Sequence, residues 1–164
     1  MEKNLRQQIE KIVVNAGLGR LSQQAQFEEK ILPETEKEFS AITGQKPSFR
    51  PAKKSIAGFK IRENQVIGLK TTLRQKRMED FFERLVNLAL PRVKDFRGLD
   101  LGSVDGNGNL NIGFKEQSVF PEIDLEKSKT SFGLQVTIVP KKRNREAAID
   151  LYRRLGLPLK KQNG

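Results

Sequence analysis

Four stretches of the chain alternate between apolar and polar residues with a period of two, which a strand can satisfy and a helix cannot. In residues 9–19, Ile12, Val14 and Ala16 fall on one face and Lys11, Val13 and Asn15 on the other, ahead of a glycine turn. Residues 66–74 place Ile67, Leu69, Thr71 and Leu73 on one side and Lys70, Thr72 and Arg74 on the opposite side. Leu110, Ile112 and Phe114 mark a further strand, and in residues 132–139 Leu134, Val136 and Ile138 face in while Gln135 and Thr137 face out. A fifth strand is expected at 57–62, with Phe59 and Ile61 inward and Lys60 and Arg62 outward. Each strand offers one face to a core and one to a polar surrounding.

Three helices are expected between them. Phe27, Ile31, Phe39 and Ile42 recur at helical spacing in residues 22–43, with Gly44 as the stop. Pro33 either restarts that helix or kinks it. Met78, Phe81, Phe82, Leu85 and Ala89 form one stripe of a helix at 75–90 that Pro91 ends, and Ala147, Ala148, Leu151 and Leu155 define a short helix at 146–155. Strands outnumber helices and no βαβαβ alternation occurs. The expected fold is therefore α+β, a mostly antiparallel sheet of about five strands with helices packed on one face. Residues 1–164 read as one domain, with 46–62 an exposed, mobile basic loop and 160–164 a disordered tail.

The chain has no Cys and no His. Disulfide scaffolds, Cys or His metal sites, thiol catalysis and Ser-His-Asp triads are thereby excluded, and neither a metal nor a cofactor is expected. No apolar run is long enough for a membrane span, and residues 1–8 lack the apolar segment of a signal peptide, so a soluble intracellular chain is expected.

Lys and Arg number 31 against 20 Asp and Glu, a formal net charge of +11. The excess is not evenly spread. Residues 46–77 hold ten basic residues and one acid, Glu63, for +9; residues 141–161 carry +6; the remainder sums to −4. The first block joins a loop rich in Lys and Arg to a strand that aims Lys70, Thr72 and Arg74 away from the core. Cations and hydroxyls on one sheet face suit the phosphates and 2′-hydroxyls of folded RNA. Aromatic stacking on single strands is poorly served, since Phe59 alternates inward and the only Tyr is Tyr152.

Other motifs read as structure. Gly17, Gly19 and Ser22 imitate the opening of a dinucleotide loop but lack the third glycine and the acid that would follow a second strand. Asp105, Asn107, Asn109, Asn111 and Glu116 match a calcium-loop spacing, yet Leu110 stands where the glycine belongs, so a turn over Asp105, Gly106, Asn107 and Gly108 is expected. Glu79 with Asp80, and Glu122 with Asp124, read as surface carboxylates rather than an acid/base pair. Membrane-surface binding would need a basic amphipathic helix, and the charge here sits on loop and strand.

A more specific pattern emerges at Ile42-Thr43-Gly44-Gln45-Lys46-Pro47, then Ala52-Lys53-Lys54-Ser55-Ile56-Ala57-Gly58-Phe59-Lys60-Ile61-Arg62, then Thr72-Leu73-Arg74. Phe81-Phe82-Glu83-Arg84-Leu85, Pro91-Arg92, Asp95-Phe96-Arg97-Gly98-Leu99, Asp105-Gly106-Asn107-Gly108-Asn109 and Phe120-Pro121-Glu122-Ile123-Asp124 follow in order. Together they resemble the bacterial-type large-subunit ribosomal protein L-five family. The resemblance implies a non-enzymatic protein of the central protuberance that binds 5S rRNA and also contacts the large-subunit (23S-type) rRNA. By that likeness Asn15, Gln45, Thr72 and Arg74 meet 5S rRNA, with Lys46 and Lys70 beside them. The loop with Arg50, Lys53, Lys54, Ser55 and Gly58 would reach the P-site tRNA. Asp105, Asn107, Asn109, Glu122 and Asp124 would belong to an intersubunit bridge to small-subunit protein S-thirteen. Members usually carry a further helix ahead of the first strand, whereas Met1 here precedes it by only a few residues, and Pro33 is an unusual choice for the first helix. The alternative is a structured-RNA-binding protein outside the ribosome.

Overall fold

A computed structural model describes residues 2–55 and 61–161. Five strands, β1 (Ile9–Gly17), β2 (Ser48–Pro51), β3 (Val66–Leu73), β4 (Leu110–Phe114) and β5 (Leu134–Pro140), form one sheet in the order β2-β3-β1-β5-β4. Every pairing in it is antiparallel. The fold is α+β, as expected. Most of the expected strand at 57–62 lies outside the described residues, while the fifth strand of the sheet is β2, inside the segment read as loop.

Register decides which face is core. Val14 stands opposite Thr71 on β3 and Val136 on β5, Ile12 opposite Leu73 and Ile138, and Ala16 opposite Leu69 and Leu134. Leu110, Ile112 and Phe114 extend these rows on β4. All are buried, and a slip of one residue would turn each of them to solvent. Helices α2 (Leu32–Thr43), α3 (Gln75–Arg84) and α4 (Arg145–Arg154) cover this face with Phe39, Ile42, Met78, Phe81, Leu151 and Tyr152. Each such side chain contributes roughly 1.5–3 kcal/mol by leaving water. Phe120, from the loop after β4, lies 5.9 Å from the Phe81 ring and edge-on to Phe114 at 5.5 Å.

The first long helix starts later than its apolar spacing suggests. Residues Leu21–Gln23 form a separate 3₁₀ turn, and Gln26 at φ 61 breaks the chain before a π turn over Phe27–Ile31. Leu32 N–H reaches back to Phe27 O, so the backbone is widened where Pro33 enters the first turn of α2. A proline has no N–H to donate and crowds the preceding turn, and the wider turn removes that conflict. The helix thus restarts at Leu32, with Pro33 in its first turn. Gly44, at φ 75, ends it.

Two further elements were not expected. Residues Glu2–Gln8 form α1, held to α3 by a bidentate pair from Arg6 to Glu79 at 2.6 and 3.1 Å. Lys160, read as the start of a tail, donates its N–H to Leu99 O and sets its ammonium 2.7 Å from Asp100. Residues 162–164 lie outside the described set.

Candidate nucleic-acid interface

The sheet face opposite the helices is open, and the same register composes it. One row runs Ser48, Lys70, Asn15, Gln135 and Gly113 across β2, β3, β1, β5 and β4. The next runs Thr72, Val13, Thr137 and Asn111, with the Thr137 hydroxyl 2.8 Å from Asn111 Oδ1. Toward one end, Arg50 stands opposite Gly68, and Gly68 opposite Gly17. Toward the other, Lys11 pairs with Val139, and Arg74 continues β3 in extended conformation, φ −135 and ψ 161. None of these residues is acidic and none is aromatic. The centre of the face offers amides and hydroxyls, and its margins offer cations.

Of the residues singled out in the sequence, Asn15, Lys70, Thr72 and Arg74 are brought together on this face. Gln45 joins them by a route that spacing cannot show: its Nε2 donates to Thr72 O at 3.2 Å, and its Oε1 accepts from Arg77 at 3.1 Å. Lys46 is exposed just beyond. Arg50, grouped in the sequence with the loop, lies in β2 and belongs to the sheet. Lys53, Lys54 and Ser55 are exposed in a loop closed at its base by Ala52 N–H to Gln65 O and Asn64 N–H to Ala52 O, both 2.8 Å. Gly58 lies outside the described residues. Ser48, Asn111, Gln135, Thr137 and Lys11 were not picked as site residues, although strand alternation carries the signal for most of them.

The five expected bridge residues are not one cluster. Asp105, Asn107 and Asn109 precede β4 and Glu122 and Asp124 follow it, so the two groups sit at opposite ends of that strand. Asp105 organises its own turn, its Oδ1 accepting from the N–H groups of Asn107 and Asn109 at 2.9 Å and its Oδ2 from the Asn109 side chain at 3.0 Å. Partial burial pushes the Asp105 carboxyl up, but these hydrogen bonds outweigh it and hold the group below its ordinary value. Glu122 pairs with Arg84 at 2.6 Å. Beside it, Leu125 is 66% exposed between Asp124 and Glu126, an apolar tip among acids that sequence reasoning passed over.

The remaining motifs resolve as structure. Ser22 donates its hydroxyl to Gly19 O at 2.7 Å, and the glycine turn leads into a 3₁₀ turn instead of a helix N-terminus. No group of acidic side chains suited to a metal occurs among the described residues. No helix among them is long and apolar enough to cross a membrane.

These features define an α+β domain with one sheet face covered by helices and the other open, polar and rimmed by cations. The family model described as "Ribosomal protein L5" matches residues 6–62, and "ribosomal L5P family C-terminus" matches residues 66–159. The chain belongs to the ribosomal protein L5 family. It is 46% identical over 155 residues to the large ribosomal subunit protein uL5 of Chlorobaculum tepidum, covering 94% of this chain and 82% of that one. It is 47% identical to uL5c of Gracilaria tenuistipitata, over 95% and 86%, and 48% identical to uL5 of Macrococcus caseolyticus, over 93% and 83%.

Proposed function

We propose that this protein is a non-enzymatic component of the large ribosomal subunit, working on cytoplasmic ribosomes, that binds 5S rRNA through its open sheet face and helps attach it in the central protuberance. The observation that carries this reading is the composition of that face. Asn15, Lys70 and Thr72 sit on adjoining strands beside Gln45 and Arg74, with no carboxylate among them to repel phosphate. Neutral donors and acceptors match 2′-hydroxyls and base edges of a folded RNA, and the cations supply attraction through counterion release. The absence of aromatic side chains from these rows favours recognition of shape over stacking of unpaired bases.

The other contacts divide by surface. Exposed Lys53, Lys54 and Ser55 follow directly on edge strand β2, where a second arm reaching the P-site tRNA would begin. The loop with Glu122 and Asp124 presents the exposed Leu125 between acids, which suits a basic protein surface such as that of S-thirteen. Contact with the 23S-type rRNA belongs to the same assembly.

Titration with 5S rRNA tests the division. Arg74→Ala is expected to weaken binding by about 1–3 kcal/mol, the loss of a charge-assisted contact. Lys53→Ala leaves 5S affinity nearly unchanged. Equal losses at both positions would refute the assignment of the two surfaces.

A further inference from the structure

The second basic block, residues 141–161, has no part in the reading above, and the fold splits it. Arg145 is spent on structure, donating to Val104 O at 3.2 Å and to Leu101 O at 3.0 Å. Arg153 donates to Lys160 O at 3.0 Å, and Lys160 pairs with Asp100. Lys141 and Lys142, in the connection from β5 to α4, are exposed and have no ion-pair partner among the described residues.

Their position relative to the open face is fixed by the backbone. Lys141 N–H donates to Gln8 O at 2.9 Å, which extends the β1–β5 ladder by one residue pair. The period of two that puts Thr137 and Val139 on the open face therefore carries Lys141 to the same side. Val139 pairs with Lys11 across the strands, and Ile12, next to Lys11, pairs with Leu73, next to Arg74. At this end of the sheet Arg74 and Lys11 thus stand on neighbouring strands, and Lys141 follows two residues beyond Val139, the partner of Lys11, so the three lie on a diagonal of about 12 Å set by two strand spacings and two residues of rise. Glu10, beside Lys11 at the β-bulge, is engaged by Arg143 at 3.6 Å. The connection itself is rigidly placed, because Asn144 caps α4 by accepting from Ala147 N–H at 2.9 Å and donates its own N–H to Lys142 O at 3.0 Å.

We infer that Lys11 and Lys141, flanked by Lys142, form with Arg74 a phosphate-binding bar that grips the backbone of structured RNA along the α4 end of the open face. The inference rests on the open face being the RNA-binding surface. It adds a site on two strands that the first basic block does not reach. A backbone grip of this kind carries no base preference; it sets register and orientation, while the amide and hydroxyl rows behind it read shape.

The test compares wild type, Lys11→Gln/Lys141→Gln, Lys141→Gln/Lys142→Gln and the charge-matched control Lys30→Gln/Lys37→Gln, whose two lysines are exposed on the helical side. Each is titrated across salt with 5S rRNA and, separately, with a plain RNA duplex, after circular dichroism has shown the fold intact. Each bar variant is expected to lower the log-log salt slope by about one to two units and to weaken binding about tenfold or more near 100 mM salt, with the control unchanged. Slopes equal to the control on both RNAs overturn the bar even if Arg74→Ala weakens 5S binding, which would leave the functional reading standing. If wild type shows no preference for 5S rRNA over duplex, the functional reading fails, and the slopes on duplex still decide the bar. The second bar variant, built from two exposed lysines, keeps the test valid if the Lys11 substitution disturbs β1.

Discussion

Gly108→Ala probes the joint on which the β5–α4 connection depends. Gly108 adopts φ +85, and a Cβ there would lie 2.8 Å from Ala148 Cβ, 3.0 Å from Asn144 O and 3.3 Å from Pro140 Cγ. The left-handed backbone costs an L-residue roughly 1–2 kcal/mol. Forcing a methyl between β5 and the first turn of α4 adds about 1–3 kcal/mol, because two of the three obstacles belong to backbone or to a Cβ and cannot rotate away. The expected loss is about 2–5 kcal/mol, a fall in Tm of roughly 5–20 °C for a chain of this size. Tyr152 makes the site less forgiving still: its buried hydroxyl donates to Gly108 O and approaches Ile138 O at 3.3 Å, tying the turn to α4 and β5 together. Urea unfolding measures the loss, and a double-mutant cycle with Ala148→Gly isolates its origin. Removing the Ala148 methyl relieves the shortest contact and leaves the φ strain, so the two substitutions should be coupled by about 1 kcal/mol or more. Strictly additive effects, or a total loss below about 1 kcal/mol, would refute the steric account.

Two other outcomes follow from groups with unusual partners. Thr71 is 3% exposed on the core face of β3 and its hydroxyl has no hydrogen-bond partner among the described residues, so Thr71→Val should stabilise the protein by about 1 kcal/mol, read as a Tm increase of roughly 2–4 °C. A destabilised variant would show that the hydroxyl is satisfied in solution. Asp105 has a folded pKa below its unfolded value, so its contribution is present above the unfolded value and is lost as pH falls through the folded one. The stability gap between wild type and Asp105→Asn should therefore stay constant above about pH 5 and narrow progressively below it, and a gap independent of pH would remove the carboxylate from the account.

What could be read in advance follows from where burial is one-sided. β1, β3, β4 and β5 each press one face on the core, and Ile12, Leu69, Ile112 and Val136 announce it by alternation. β2 does not, since Ser48, Phe49, Arg50 and Pro51 are all exposed and become a strand only by pairing with β3 at the sheet edge. In α1 the run is short and polar, and Leu5 is the one buried side chain among its described residues, too little for a periodic signal. The π turn before Pro33 is a backbone solution with no side-chain pattern of its own. The site divides in the same way. Asn15, Thr72 and Arg74 were legible because they alternate with core residues. Gln45 came only with the family resemblance, because its contact to Thr72 O joins a loop to a strand 27 residues on and leaves no periodic signal. Asp105 and Glu122 were grouped by the resemblance alone, and β4 runs between them.

Net charge acquires meaning only after the fold has spent part of it. Arg6, Arg84, Arg145, Arg153 and Lys160 hold elements together through Glu79, Glu122, backbone carbonyls and Asp100, and they are unavailable to a polyanion. On the open face, the cations without such partners are Arg50 with the loop lysines beyond β2, Arg74 at the end of β3, Lys70 within it, and Lys11 with Lys141 and Lys142 at the α4 end. Between the margins of the face the rows from Ser48 to Gly113 and from Thr72 to Asn111 carry little charge apart from Lys70. Salt screens the margins and leaves hydrogen bonds of the centre largely intact. Raising salt should thus reduce affinity for every RNA while preserving, or even sharpening, the preference for a folded RNA whose hydroxyls match those rows. Affinity and selectivity are held by different residues of the same face, and the register that packs Val14 between Thr71 and Val136 is what keeps them in line.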